Sequence, residues 1–261
     1  GGVPVIVETT PESGLKLTPQ ALRAAITPKT RMVLINSPSN PSGAVYSRAE
    51  MAALGEVVLE HDLYVLGDEI YEMLIYDGAE HVSMAQISPE LKARTIIVNG
   101  VSKTYAMTGW RIGYAAGPRD VISLMDKAQS QTVSHPSSIS QKAAVEALNG
   151  PQDMVETMRV EYDRRRRYMV ERLNALAGVH CELPLGAFYV YPDVSSYFDR
   201  SVNGQSLADS NGMCDYLLDE ARVACVPGAG FGTQPHIRLS YATSMENLEK
   251  EANEIAEEIE D

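Results

Sequence analysis

Short apolar runs alternate along the chain with stretches whose apolar residues recur every three or four positions, and this predicts strands alternating with helices. Residues 5–7 read as a strand-like start. Thr18-Pro19 places an N-cap before a proline at the first helical position and predicts a short helix through Leu22 and Ile26. Residues 32–35 form an apolar strand that runs into Asn36-Ser37-Pro38-Ser39-Asn40-Pro41-Ser42-Gly43, a loop constrained by two X-Pro bonds and a glycine. Ser47 and Glu50 form a capping box for a helix carrying Met51, Leu54, Val57 and Val58 on one side. Residues 63–66 are a second buried strand, ending at Gly67-Asp68-Glu69-Ile70-Tyr71. Strand, helix, strand is a βαβ unit and implies a parallel sheet. Residues 95–98 are a third strand, ended by Asn99-Gly100, and residues 111–116 a fourth.

Gly117-Pro118 opens a helix with Val121, Leu124 and Met125 facing inward, and residues 137–148 form another, stopped by Asn149-Gly150. A long helix follows Pro151, with Val155, Met158, Tyr162, Met169, Leu173 and Leu176 on its apolar side. The basic run Arg164 to Arg167 within it reads as a solvated face with carboxylate partners. Beyond Gly178 the pattern changes to short strands at 179–182, 187–191, 223–226 and 237–241, a helix over 213–220, and a last helix capped by Ser244. The expected fold class is α/β: a large, mostly parallel-sheet domain over residues 1–160, then a smaller α+β domain over residues 161–261.

The 261 residues suffice for a large core, and no apolar run approaches membrane-spanning length. Twenty-two basic against thirty-five acidic residues give a net charge of -13, which argues against nucleic acid and anionic membrane as partners. An anionic ligand must then be held by a few placed arginines. Cys181, Cys214 and Cys225 form no CxxC pair and the five histidines lie far apart, so neither a disulfide framework nor a metal site is expected. A reducing cytoplasm is the natural compartment. The chain starts in mid-pattern without methionine, and an N-terminal portion is expected to be missing.

Candidate chemistry centres on Ser102-Lys103 in TIIVNGVSKTYAMTGWRIGY, because Lys103 falls on the turn after a strand. The carboxyl ends of strands form the ligand crevice of open α/β sheets, and a desolvated amine there is readily deprotonated and nucleophilic. Asp68 is expected at the same edge, as is Asn40. Together with Asn40-Pro41-Ser42-Gly43 and Gly67-Asp68-Glu69-Ile70-Tyr71, this run resembles the fold-type-I pyridoxal-phosphate enzymes, and among them the class I aspartate aminotransferases. The resemblance covers essentially the whole chain.

It implies pyridoxal 5'-phosphate as cofactor, with Lys103 as Schiff-base lysine and proton-transfer base, and Asp68 pairing with the pyridinium nitrogen. By the same resemblance Asn40 and Tyr71 meet the ring's phenolic oxygen, Arg111 and Ser102 hold the phosphate, Arg238 grips the substrate α-carboxylate, and Asn40 also belongs to the substrate-binding residues. The implied activity is amino-group transfer, by a ping-pong route, between an amino acid such as aspartate and a 2-oxo acid such as 2-oxoglutarate. Prephenate is an alternative acceptor, and a homodimer with active sites near the subunit interface is implied. Two departures stand out. Residues 133–138 lack the arginine with which some members bind a second carboxylate, and the glycine-rich phosphate loop, the ring-stacking aromatic and a partner-subunit tyrosine would all precede Gly1. A phosphate-binding P-loop is rejected, because Ser102 stands where that motif requires a glycine directly before the lysine. A pyridoxal-phosphate lyase, a cyclopropane-forming synthase and a cofactor-binding regulator domain remain the other readings of the same residues.

Overall fold

The computed structural model describes residues 1–202 and 205–260. The chain divides into two compact units, the first comprising Gly1–Ser39 with Ala44–Thr157, the second Asn40–Gly43 with the residues from Met158 onward.

The first unit contains α1 (Pro19–Ala25), β1 (Met32–Asn36), α2 (Arg48–Glu60), β2 (Tyr64–Asp68), α3 (Pro89–Lys92), β3 (Thr95–Gly100), β4 (Gly113–Ala116), α4 (Arg119–Thr132) and α5 (Ser138–Asn149); α6 (Asp153–Asn174) starts in it. The sheet order is β1-β2-β3-β4, with β1, β2 and β3 parallel. As expected, α1 begins where the Thr18 hydroxyl accepts from Ala21 N at 3.1 Å, and α2 where Ser47 and Glu50 cap each other. Each cap satisfies N–H groups that the first turn leaves without a helical partner. Leu54, Val57 and Val58 of α2 are at most 1% exposed and pack with Val33, Ile35 and Val65. Burying each stabilises the fold by roughly 1.5–3 kcal/mol.

Several expectations need correction. No strand forms at residues 5–7: Val5 and Ile6 are exposed and, among the described residues, find no neighbouring strand to complete a ladder. β3 continues through Asn99 and Gly100, because these pair with Tyr114 and Gly113. The fourth strand starts at Gly113 rather than at 111 and runs antiparallel, since Arg111 has a left-handed backbone (φ 53°) and turns the chain back. β1 buries only one face: Met32 and Leu34 are exposed while Val33 and Ile35 are buried. Leu124 and Met125 of α4 are exposed rather than inward, and no residue of that helix is buried. An apolar stripe predicts a face that packing favours; it cannot name what packs there.

In the second unit lie most of α6, then β5 (Tyr189–Val190), β6 (Ser201–Val202), β7 (Gln205–Ser206), α7 (Ser210–Asp219), β8 (Val226–Pro227), β9 (Ile237–Ser240) and α8 (Met245–Glu260). β5, β9 and β8 form one antiparallel sheet in that order. Residues 179–182 make a single bridge, His180 to Asp193, instead of a strand. Tyr162, Met169 and Leu173 of α6 are buried as predicted. Arg166 is not on a solvated face: its side chain is fully buried and bonded to Asp163 and to the Pro184 carbonyl. On α8, Leu248, Ala252 and Ile255 turn inward, while Glu246, Glu249 and Glu257 are exposed. Among the described residues no helix is long and apolar enough to cross a membrane.

Candidate active site

Parallel register places Asn36, Asp68 and Val98 side by side at the carboxyl edge of β1, β2 and β3. Chain leaving that edge carries the predicted residues of the first unit. Asp68 is half-buried, and among the described residues its carboxylate accepts one hydrogen bond, from Ile70 N to Oδ1 at 3.2 Å. Burial pushes its pKa above the ordinary carboxylate value; the Ile70 bond opposes this and the neighbouring Glu69 charge adds to it. The backbone at this point is pinned separately, by Asn36 Nδ2 donating to the Asp68 carbonyl at 3.1 Å.

Three residues on, Tyr71 is buried, and Lys103 Nζ lies 5.7 Å from its ring centroid, within cation–π range. Lys103 and Ser102 are half-buried in the turn that follows β3, which closes with Ala106 N donating to the Lys103 carbonyl at 3.2 Å. The structure therefore brings Lys103 onto Tyr71 and puts Asp68 at the same strand edge. Arg111 sits in the same segment as Ser102 and Lys103 but is exposed, its Nη1 donating to the Thr108 carbonyl at 2.8 Å.

Sequence reasoning missed the polar groups behind this rim. Glu69 is buried with its Oε2 3.0 Å from His81 Nε2, while Glu72 Oε1 accepts from Asn99 Nδ2 at 2.7 Å. The ligand atoms of Glu69, Glu72 and His81 lie within 4.8 Å of one another, a set that a cation could use. His81 lies twelve residues from Glu69, so no local spacing announces the cluster.

In the second unit Arg238 occupies β9 between the buried Ile237 and Leu239. Its guanidinium stacks 4.4 Å from the Tyr189 ring centroid and 5.2 Å from that of Phe231. Among the described residues it makes one hydrogen bond, from Nη1 to Asn40 Oδ1 at 2.7 Å. Such a planar fork, held on an aromatic face with donors to spare, suits a carboxylate. Asn40 is held by a loop in which the Ser37-Pro38 and Asn40-Pro41 bonds are cis. The loop's last residue, Gly43, has φ 67°, and a Cβ there would meet Pro184 Cβ at 2.4 Å and the Gly186 carbonyl at 2.6 Å. Tyr189, Phe231 and the Asn40 bond were not foreseen; aromatic residues 49 and 7 positions from the arginine carry no periodic signal.

The profile of the family "Aminotransferase class I and II" matches residues 1–255 of the chain. The chain belongs to the class I and II aminotransferase family. This family member is 50% identical over 249 residues to the aspartate aminotransferase of Geobacillus stearothermophilus, covering 95% of this chain and 62% of that protein. It is likewise 50% identical over 250 residues to the aspartate/prephenate aminotransferase of Cereibacter sphaeroides, covering 95% and 62%. The crystal structure of the Rhizobium meliloti aspartate aminotransferase superposes with a TM-score of 0.95 at 49% identity, over 98% of this chain and 65% of that one. The expected α/β class with its mostly parallel sheet therefore stands. The aminotransferase-family chain spans somewhat less than two thirds of the curated relatives it matches.

Proposed function

We propose that this chain carries the lysine-bearing part of a pyridoxal-phosphate-dependent aminotransferase acting on aspartate and a 2-oxo acid. The observation that carries this reading is the Lys103 amine set over the buried Tyr71 ring, at the strand edge where the desolvated Asp68 ends β2. The residues fit the cofactor: a carboxylate whose charge burial disfavours, and which accepts a single backbone bond, gains by receiving a cationic ring N–H. Pyridoxal phosphate supplies, when bound, an electron sink that stabilises negative charge at the substrate Cα.

The residues divide the remaining work. Lys103 Nζ, half-buried in the turn after β3, takes the proton from the substrate Cα and returns it on the cofactor side. Asp68 keeps the ring nitrogen protonated, and Tyr71 donates to the phenolic oxygen. Arg111 and Ser102 take the phosphate; for Arg111 this requires exchanging the Thr108 carbonyl for an anion, a gain in charge-assisted bonding. Arg238, oriented by Asn40 and its aromatic neighbours, binds the α-carboxylate. A cytoplasmic homodimer accords with the free cysteines and with the exposed apolar side chains Leu124, Met125 and Ile139 on α4 and α5.

Prephenate is the second acceptor to test, because the relative named for it matches as closely as those named for aspartate alone. The class is tested by titrating pyridoxal phosphate into the purified protein and recording absorbance. A new band is expected that shifts with aspartate and is lost in Lys103→Ala. A band unchanged in that variant refutes the assignment of Lys103; a panel of amino and oxo acids then fixes the pair.

A further inference from the structure

Cys214 on α7 and Cys225, the residue before β8, are eleven positions apart, and the fold brings their sulfurs to 3.2 Å, with the Cys225 thiol donating to Cys214 Sγ. Both are free thiols. Neither sulfur can drift far: Met213 and Leu217 flank Cys214 with 0% exposure, and Val223 precedes Cys225 with 2%. Two thiols held in contact by a packed helix and strand need little backbone movement to join. We propose that Cys214 and Cys225 are a reversible disulfide-forming pair, oxidised by low-molecular-weight disulfides.

The order of events follows from access. Cys225 is half-buried and reachable from solvent, whereas Cys214 is buried, and its thiol is pushed further from ionisation by its neighbour's hydrogen bond and by burial. Cys225, as thiolate, attacks a disulfide RSSR, forms a mixed disulfide and releases one RSH after proton uptake. Cys214 then loses its proton to solvent and attacks the Cys225 sulfur, expelling the second RSH. In sum, two protein thiols and RSSR give one protein disulfide and two RSH, so the protein is oxidised and RSSR reduced. The bond ties α7 to β8, whose Val226 is the register partner of Arg238 on β9. Cys181 is outside this chemistry: it is buried, and desolvation pushes its thiol up to about 12.

The test incubates the purified protein with oxidised glutathione, then counts thiols in denaturant and maps peptides without reduction. Of the three cysteine thiols of this chain, one is expected to remain, on Cys181, with a Cys214–Cys225 linked peptide and an intact mass lower by about 2 Da. Dithiothreitol restores all of them, Cys181→Ser oxidises as readily, and Cys225→Ser shows no mass loss. Three titratable thiols after oxidation, glutathione adducts without an internal link, or a link through Cys181 would overturn the proposal.

Discussion

Arg166 is the charged residue whose removal the structure makes most costly. Its side chain is fully buried; Nε and Nη2 donate to Asp163 Oδ1 at 3.0 and 2.5 Å, and Nη1 donates to the Pro184 carbonyl at 2.5 Å. Arg166→Met keeps an unbranched apolar stem in place of the arginine's and removes the guanidinium with its bonds to Asp163 and Pro184. An orphaned buried carbonyl costs about 1–3 kcal/mol, and breaking a buried ion pair on one side about 3–5 kcal/mol. Asp163 is 30% exposed and retains Arg167 at 3.2 Å, so its share is small. The expected loss is therefore about 2–4 kcal/mol, a fall in melting temperature of roughly 5–15 °C for a chain of this size. Urea denaturation of Arg166→Met beside Arg167→Met is the assay, because Arg167 is 52% exposed and its pair is worth at most about 1 kcal/mol. Equal midpoints for the two variants would refute the reasoning. Pro184 also touches the Gly43 end of the loop that carries Asn40, so Arg166→Met is further expected to weaken the hold of Asn40 on Arg238.

Gly43→Ala combines a left-handed backbone with a Cβ driven into Pro184 and the Gly186 carbonyl, and is expected to destabilise by about 2 kcal/mol or more in the same denaturation assay. Arg238→Lys keeps the charge but loses the planar fork and its stacking on Tyr189; KM for the amino-acid substrate is expected to rise roughly 10- to 100-fold, with a smaller change in kcat. Asp68 has a folded-state pKa above its unfolded value, so the folded chain holds more protons between the two. Stability from this group is present at low pH and falls as pH rises through that window. Without added cofactor, Asp68→Asn is therefore expected to gain on the parent from about pH 4 upward, and denaturation midpoints whose difference ignores pH would contradict this.

What could be read from the sequence was local or periodic. The Ser47–Glu50 capping box, the Thr18-Pro19 start and the parallel β1-α2-β2 unit each depend on residues a few positions apart, and each is present. Lys103 lies in the turn beyond β3, as expected, whereas Asp68, expected after a strand over 63–66, is itself the last residue of β2. Tertiary partners were out of reach. Arg166 looks like its three basic neighbours in the sequence, yet helix rotation turns it fully inward, onto Pro184. The strand expected from Arg111 starts only at Gly113, because a left-handed turn at Arg111 sends the chain back antiparallel. Cys214 and Cys225 lack any recognised spacing, and only the packing of α7 on β8 shows them as neighbours.

Register explains why the first group of site residues is legible at all. β1, β2 and β3 are locked in step by the pairs Asn36 to Asp68 and Asp68 to Val98, so their parallel pairing stops at one level and only β3 runs on, by two residues. Slippage of β2 by one residue would exchange the buried Val65 and Gly67 for Tyr64 and Leu66, placing a tyrosine where the core has no room. That penalty fixes Asp68 at the rim. Lys103 follows from the same constraint, since β3 must finish within a few residues of Val98, and its last pairs, Asn99 and Gly100 with β4, leave only Val101 and Ser102 before the lysine. The amine and the carboxylate are thus set by packing of Val65 and Ile96 in the core, well away from either charge.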